Sequence, residues 1–406
     1  TGRNRFLRLG ATFMAAASAM GFGYVYDVAG LRSRFLPGTM AHPHISSLAV
    51  LPLENLSGDA DQEYFADGMT EELVTALGKI RGLRVISRTS VMRYKGTQKP
   101  VPQIARELGV DALIEGTVTR SGGRMRLTTN LINAATDQHL WAEAYDRDLG
   151  DVLSLQRELA EAVAKQVRAA FPADDWSALA KSGTINPEAH ELYLKGQYHY
   201  YRWSLPEFAK AITYYEKAIG VDPNYAEAYL GLAKTYGWQW MQGALQPEEA
   251  YPKFSTALKR ALAINKDLPE AHYVLAVSAW YFYWNWPQAE TEFKRALELN
   301  PNLEEARFEY AWFLSTMGRH AEAIVEAKRA VELDPLAVTA NLALGSIYNS
   351  AGQQDAAIPQ LVKTIELDPT DPRAYEFMAS AYRRLGLHDE EVRTAQQMMT
   401  RRGAKP

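Results

Sequence analysis

Cysteine is missing from all 406 residues. Its absence rules out disulfide cross-links, thiolate metal ligands and a cysteine nucleophile, so any core must hold by packing alone. Excess charge is missing too: the formal net charge is -4 at pH 7. That gives no general attraction to nucleic acid, and a DNA- or RNA-binding role would need a local patch. No Gly-x-Ser-x-Gly elbow, phosphate-binding loop or kinase signature occurs. Histidine never recurs as His-x-x-x-His on a predicted helix, and the close pair His42 and His44 has no third ligand in sight. The adjacent carboxylates Glu71 and Glu72, and Asp174 and Asp175, point to different sides of a helix and build no shared site. No catalytic residue, metal site or cofactor is expected, and the partner class that remains is protein or peptide.

Long apolar runs are scarce, with one exception. Behind Arg3, Arg5 and Arg8, the stretch from Leu9 to Tyr26 carries no charge. A helix of that length reaches about 27 Å, just short of a hydrocarbon core of ~30 Å. The reading is a transmembrane anchor within residues 1–30 with the arginines inside, which puts the chain after about residue 30 outside the cytoplasm. Ala17-Ser18-Ala19 also fits a signal-peptide cleavage site, and a soluble helix is a third option.

What the chain has in quantity is a repeat. Pro301, Pro335 and Pro369 recur every 34 residues, each behind Asn or Asp. Ala306, Ala340 and Ala374 follow in register, then Tyr310-Ala311, Leu344-Gly345 and Met378-Ala379, then Leu314, Tyr348 and Tyr382. Gly318, Gly352 and Gly386 stop the first helix. Small residues such as Ala323, Ala327, Ala330 and Ala357 line the second helix where two helices approach closely, and the Asp-Pro pair ends it. The pattern resembles the tetratricopeptide repeat, whose Leu-Gly-x-x-Tyr signature stands at Leu344 to Tyr348. Five complete units from about Asn186 and a partial last one from Pro372 are expected, the earlier ones stretched. Together they make an all-α solenoid over residues 188–402.

Between a linker at residues 31–45 and another at 172–187 the period changes. Leu48 to Leu53 reads as a buried strand and Leu83 to Ile86 as a second. Ala112 to Arg120 and Arg124 to Ile132 read as a hairpin, and Leu140 to Tyr145 as a fifth strand. Asp67 is placed as the N-cap of a helix carrying Glu71 and Glu72 in its first turn; Ile104 to Leu108 is a short helix ended by Gly109, and Asp151 opens a closing helix. The strings Leu48-Ala-Val-Leu-Pro-Leu-Glu-Asn-Leu-Ser-Gly-Asp59, Tyr64-Phe-Ala-Asp-Gly-Met-Thr-Glu-Glu-Leu73, Val85-Ile-Ser-Arg-Thr-Ser-Val91 and Ala105-Arg-Glu-Leu-Gly-Val-Asp-Ala112 are similar to the TolB-like amino-terminal domain that precedes tetratricopeptide repeats in bacterial proteins. The resemblance implies an α/β TolB-like domain over residues 46–171, set behind one inner-membrane span and facing the periplasm. It also implies an alternative role: the regulatory half of a signalling protein whose adenylate cyclase, serine/threonine kinase or winged-helix domain lies before residue 1. It carries over no catalytic residue.

Two surfaces stand out. From Leu73 to Arg106 the chain has eight basic residues and no acidic one. Arg81, Arg84, Arg88, Arg93 and Lys95 form a candidate anion site there, the competing account being a charged sheet edge that resists aggregation. Seven of nine tryptophans fall between Trp203 and Trp312. Repeat register puts Tyr273, Val277, Trp280, Tyr281, Phe308 and Trp312 on the inner wall of the solenoid as a partner-binding set, with Trp280 and Trp312 partly exposed and close together. The competing account is that large side chains fill stretched repeats. The overall reading is a membrane-anchored, non-catalytic scaffold that captures a peptide or protein partner on the concave surface.

Overall fold

The computed structural model describes residues 45–401 apart from 81, 122, 149–150 and 168–185. The anchor expected in residues 1–30 lies outside the described residues, as do the two linkers but for their last positions. Among the described residues no helix is long and apolar enough to cross a membrane.

The N-terminal part is a mixed sheet built from β1 (Ser47–Val50), β2 (Glu54–Asn55), β3 (Arg84–Val85), β4 (Ala112–Ser121), β5 (Arg124–Asn133) and β6 (His139–Asp148). Strand order is β3-β1-β4-β5-β6, with β2 pairing beside β4. β1 runs parallel to β3 and β4, whereas β4, β5 and β6 form an antiparallel meander. After Ser47, β1 is apolar because both its faces are covered. Leu48 and Val50 join the core beneath α1 (Glu63–Gly78) and α4 (Val152–Val167), while Ala49 and Leu51 meet α2 (Arg88–Val91) and α3 (Val101–Leu108) on the other side. In β5 the alternation is half-wet: Met125, Leu127 and Leu131 are buried, and Arg124 and Arg126 are exposed. α1 starts at Glu63, earlier than expected, so Asp67 is no cap. It sits buried inside the helix with its carboxylate 2.6 Å from Lys95 Nζ.

The rest is helical. α5 (Pro187–Tyr200) pairs with α6 (Leu205–Val221), α7 (Ala226–Met241) with α8 (Pro247–Ile264), and α9 (Pro269–Tyr281) with α10 (Trp286–Leu299). α11 (Glu304–Thr316) pairs with α12 (His320–Leu333), α13 (Val338–Ser350) with α14 (Gln354–Leu367), and α15 (Pro372–Leu385) with α16 (His388–Arg401). That makes six hairpins among the described residues, so the last unit is a full pair rather than the partial one expected.

The punctuation has a local cause. Asp222, Asn265, Asn300, Asp334 and Asp368 each leave the helix in an extended conformation, and each side-chain oxygen accepts the backbone N–H two residues on, at 2.8 to 3.1 Å. This Asx turn re-satisfies a backbone donor while the following residue, usually proline, forbids further helix. Between the helices of a pair the chain turns through a left-handed residue. Gly318, Gly352 and Gly386 supply it at φ 74 to 77°, but Trp203 and Trp284 stand at φ 50° and 54° in the stretched repeats, a conformation that costs a bulky residue about 1 kcal/mol or more.

First helices of successive pairs pack on one another, whereas second helices pack chiefly on first helices. The stack therefore curves with its first helices inside. The sheet domain is not separated from this stack. α1 lies against α5, and the repeat-ending turns further along reach back to the sheet's edge. Asn302 Nδ2 donates to Gly78 O at 2.8 Å and Leu83 O at 2.7 Å. Asp334 accepts hydrogen bonds from the hydroxyls of Ser87 and Ser90, the latter at 2.7 Å, and Leu336 packs into the core beneath α3.

Two substitutions check this packing. A Cβ at Gly345 would stand 2.8 Å from Leu361 of α14, so Gly345→Val is expected to lower stability by about 1–3 kcal/mol. Asn302→Ala would strip two buried carbonyls of their donor, with an expected loss of about 1–3 kcal/mol. Urea denaturation followed separately through each region should show Asn302→Ala lowering the midpoints of both sheet and repeats together. A shift confined to one of them would contradict a shared interface.

Candidate binding cleft between the sheet domain and the concave wall

The basic stripe explains much of that docking. Arg84 donates from Nη1 to Glu332 O at 3.1 Å and from Nη2 to Gly109 O. Arg93 reaches Leu336 O and, at 2.6 Å, Leu367 O. Arg88 sits 3.0 Å from Glu71 and 3.8 Å from the ring centre of Tyr201, and Lys95 bridges Glu63 and Asp67 at 2.6 Å each. These four side chains thus spend their charge on carbonyls and carboxylates of their own chain, which corrects the expectation of an open anion site. Arg81 lies outside the described residues.

At the other end of the interface an open depression of about 690 Å³ is lined by Asp59, Tyr64, Arg120, Glu191, Lys195 and Arg202, among others. Its charges largely answer one another. Arg120 donates to Tyr64 Oη at 2.7 Å and to Glu191 at 2.9 Å, and Lys195 meets Glu191 at 2.9 Å. Against the burial that would raise it, these two cations hold the Glu191 carboxyl down at about 2. This depression is the seam between α1 and α5.

The aromatic set is divided by the fold. Trp280 is 8% exposed and Phe308 6%, so neither offers a free face. Trp280 packs edge-on to Phe313, and Phe308 packs edge-on to Trp312. That corrects the expectation of a partly exposed Trp280: its indole turns into the interior and packs against Phe313 of the next first helix. Trp312 is half-buried, with its indole N–H donated to Ser346 Oγ at 2.7 Å. Tyr273 and Val277 are half-buried on the inner wall, and Tyr281 is 47% exposed. The largest exposed ring, Trp284 at 73%, sits at the turn between α9 and α10, away from the inner wall.

What the inner wall presents most regularly is charge. Glu227, Glu270 and Glu305 each precede a buried alanine at the start of a first helix, Ala228, Ala271 and Ala306. One residue back from a buried position on a helix is about 100° round, which points the glutamates along the concave face. Lys234 stands among them on α7, 5.2 Å from the ring centre of Tyr200. None of Glu227, Glu270, Glu305 and Lys234 has a side-chain hydrogen bond or ion pair to another described residue. Glu71 on α1 and Lys79 beyond it face this wall, close enough for Glu71 to interact with Lys234 and Glu305 and for Lys79 to interact with Glu227. The sheet domain and the concave wall therefore bound a cleft. Glu305 is exposed to water yet ringed by protein, as the wall of a cleft should be.

Burial shifts the groups of this cleft. It raises the carboxyls of Glu71, Glu227 and Glu305, against the pull of Arg88, Lys79 and Lys234 respectively. It raises Glu309 to about 7, with Arg373 as the opposing charge. Burial would lower Lys234, but Tyr200, Glu305, Glu71 and Glu270 outweigh it and hold the ammonium up. The recurring Glu-Ala pair at 227, 270 and 305 was the sequence signal for this wall. Reading the aromatic residues alone passes over it.

Comparison with known proteins fits this division. Tetratricopeptide repeat families match residues 199–225, 292–325 and 314–372, and the C-terminal part is a tetratricopeptide solenoid. Over residues 44–162 the match is to the HilA/YgeH-like transcriptional regulator, second domain, in place of the expected TolB-like domain. "Putative adenylate cyclase 3" of Rhizobium meliloti (strain 1021) is 33% identical over 240 residues, which is 58% of this chain and 40% of that protein. The chain thus spans well under half the length of that relative. Among solved structures, PilW, a widely conserved type IV pilus biogenesis factor, is 17% identical with a TM-score of 0.45, covering 53% of this chain and 94% of its own. A thermophilic TPR protein in Thermus thermophilus is 24% identical with a TM-score of 0.39, covering 48% and 98%.

The raised carboxyls carry a pH signature. A carboxyl whose folded pKa exceeds its unfolded value binds extra proton on folding, so its contribution is full below the unfolded value and is lost as pH rises toward the folded one. Glu309 defines the window, from the ordinary 4.5 to about 7. Unfolding free energy is expected to fall across pH 5 to 7.5, by up to about 3 kcal/mol from this group. Glu309→Gln should flatten that slope in urea titrations. A stability that climbed over the same interval would show that these carboxyls are not held protonated.

Proposed function

We propose that this chain is a non-catalytic protein-binding scaffold, in which the cleft between the sheet domain and the solenoid receives an extended segment of a partner protein. The observation that carries the reading is the row of unpaired side chains on the inner wall: Glu227, Lys234, Glu270 and Glu305. Charged groups elsewhere in the interface find partners, and a wall of unanswered charge beside the half-buried Tyr273, Val277 and Trp312 and the exposed Tyr281 suits a peptide backbone with its side chains. Trp280 and Phe308 serve this surface from behind, by fixing the helices that carry it.

A second reading, regulation of a signalling enzyme, is favoured by the 33% identity to a stretch making up 40% of a protein named as an adenylate cyclase, and by the transcriptional-regulator name of the family matching residues 44–162. In that reading the cleft is the input and an effector domain of another part of the protein is the output. For the chain itself we place residues after about 30 in the periplasm, behind a single inner-membrane span, on the strength of the uncharged Leu9 to Tyr26 stretch after three arginines.

Selection of displayed peptides on the full chain tests the binding role. Enriched sequences should lose binding at least tenfold on Tyr273→Ala with Tyr281→Ala, at unchanged helix content, and failure to enrich any peptide would count against the cleft as a receptor. Cyclic AMP formed from ATP by the purified chain would sink the non-catalytic reading. The anchor is checked by carbonate extraction: the full chain should stay in the membrane pellet, and a chain lacking residues 1–30 should leave it.

A further inference from the structure

We propose that the segment held in this cleft is cationic, an extended peptide whose lysine or arginine side chains are received by the glutamates of the concave wall. The inference rests on the peptide-binding reading above and adds the chemistry of the partner.

Charge on the wall is one-sided. Glu227, Glu270 and Glu305 follow one another along three successive first helices; Lys234 answers Glu270 and Glu305, and Lys79 answers Glu227, so three carboxyls meet two cations. Glu71 is already matched by Arg88 at 3.0 Å. The wall thus carries an excess of carboxylates spaced one repeat apart, with tyrosines between them. A basic side chain can sit over a tyrosine ring, as Lys234 does at Tyr200, and still offer its charge to a carboxylate beside it.

A second observation is independent of that row. Glu304 is 6% exposed, its Oε1 finds no hydrogen-bond partner, it lies within reach of Tyr273, and burial beside Glu305 and Asp334 pushes its carboxyl well above the usual range. Glu309, one turn further on, has an Oε2 in the same condition and faces Tyr273 and Tyr281 from α9 and Arg373 from α15. A buried carboxylate oxygen left without a donor is unfavourable unless something supplies one. The ammonium or guanidinium of a bound side chain supplies several. An anionic segment would instead meet the row of glutamates and be repelled, so the same geometry that attracts one charge rejects the other.

Glu309 also ties binding to pH. Its carboxyl is half ionised at about 7. A cation that prefers the ionised form must bind more tightly as pH rises through that value and must displace a proton as it does so.

The probe is a nine-residue peptide of alternating lysine and serine, titrated calorimetrically into the full chain, beside a glutamate-serine peptide of the same length. The lysine peptide is expected to bind at least tenfold more tightly than the glutamate peptide, to weaken with added salt, and to bind severalfold more tightly at pH 8 than at pH 6 with proton release. Glu270→Gln with Glu305→Gln, isosteric changes at positions that water reaches, should weaken it at least tenfold while leaving the thermal midpoint in place. If the lysine peptide binds no better than the glutamate peptide, or the double variant binds as the parent does, the inference is overturned. Should display-selected neutral peptides still bind through Tyr273 and Tyr281 in that case, the peptide-binding reading stands and only the charge preference falls. If no peptide binds at all, both fall.

Discussion

The structure depends on one small arrangement, the Asn or Asp that ends the second helix of each of the first five repeats. At Asp334 a single carboxylate accepts the backbone N–H of Leu336, which closes the turn, and also the hydroxyls of Ser87 and Ser90, which fixes the sheet domain. At Asn300 the same turn is closed locally, and that leaves Asn302 free to bridge Gly78 and Leu83. A residue whose local task is to stop a helix thereby sets where the sheet domain can sit. Burying such groups is tolerable because their lone pairs and donors are largely answered.

From that docking the cleft follows. Because the sheet domain meets α5 at one end and the turns at Asn302, Asp334 and Leu367 at the other, it spans the repeats between them without filling the wall they present. Arg84 and Arg93, which in sequence look like part of an anion site, are the bolts of this interface, while Lys95 is spent inside the sheet domain on Glu63 and Asp67. The charges left over are those the interface does not reach, and these form the proposed binding surface. Curvature, docking and binding surface are thus one geometric outcome rather than three features.

Strain and filling lie where the repeats depart from their ideal length. Trp203 and Trp284 take the left-handed conformation that Gly318, Gly352 and Gly386 adopt elsewhere, and Trp280 and Phe308 are buried against Phe313 and Trp312. Aromatic density in the sequence therefore reports on the spacing of helices at least as much as on a partner. Large rings fill irregular gaps well, which is why their mere clustering cannot separate the two uses.

The sequence by itself determined the local structure. The 34-residue interval, the Asn or Asp before proline and the glycine stops are short-range chemistry, legible because each acts within a few residues of itself. The strands from Ala112 to Asp148 were legible for the same reason, since alternation along a strand records which face is wet. Asp67 was misplaced as a cap because its partner Lys95 lies 28 residues away and no local pattern announces it. Only the tertiary structure decided that the basic stripe is largely an interface, that Trp280 and Phe308 are interior, and that the wall of Glu227, Lys234, Glu270 and Glu305 faces Glu71 and Lys79 across a cleft. Those facts arise where separate elements meet, and charge or ring identity in one dimension does not say what will stand opposite in three.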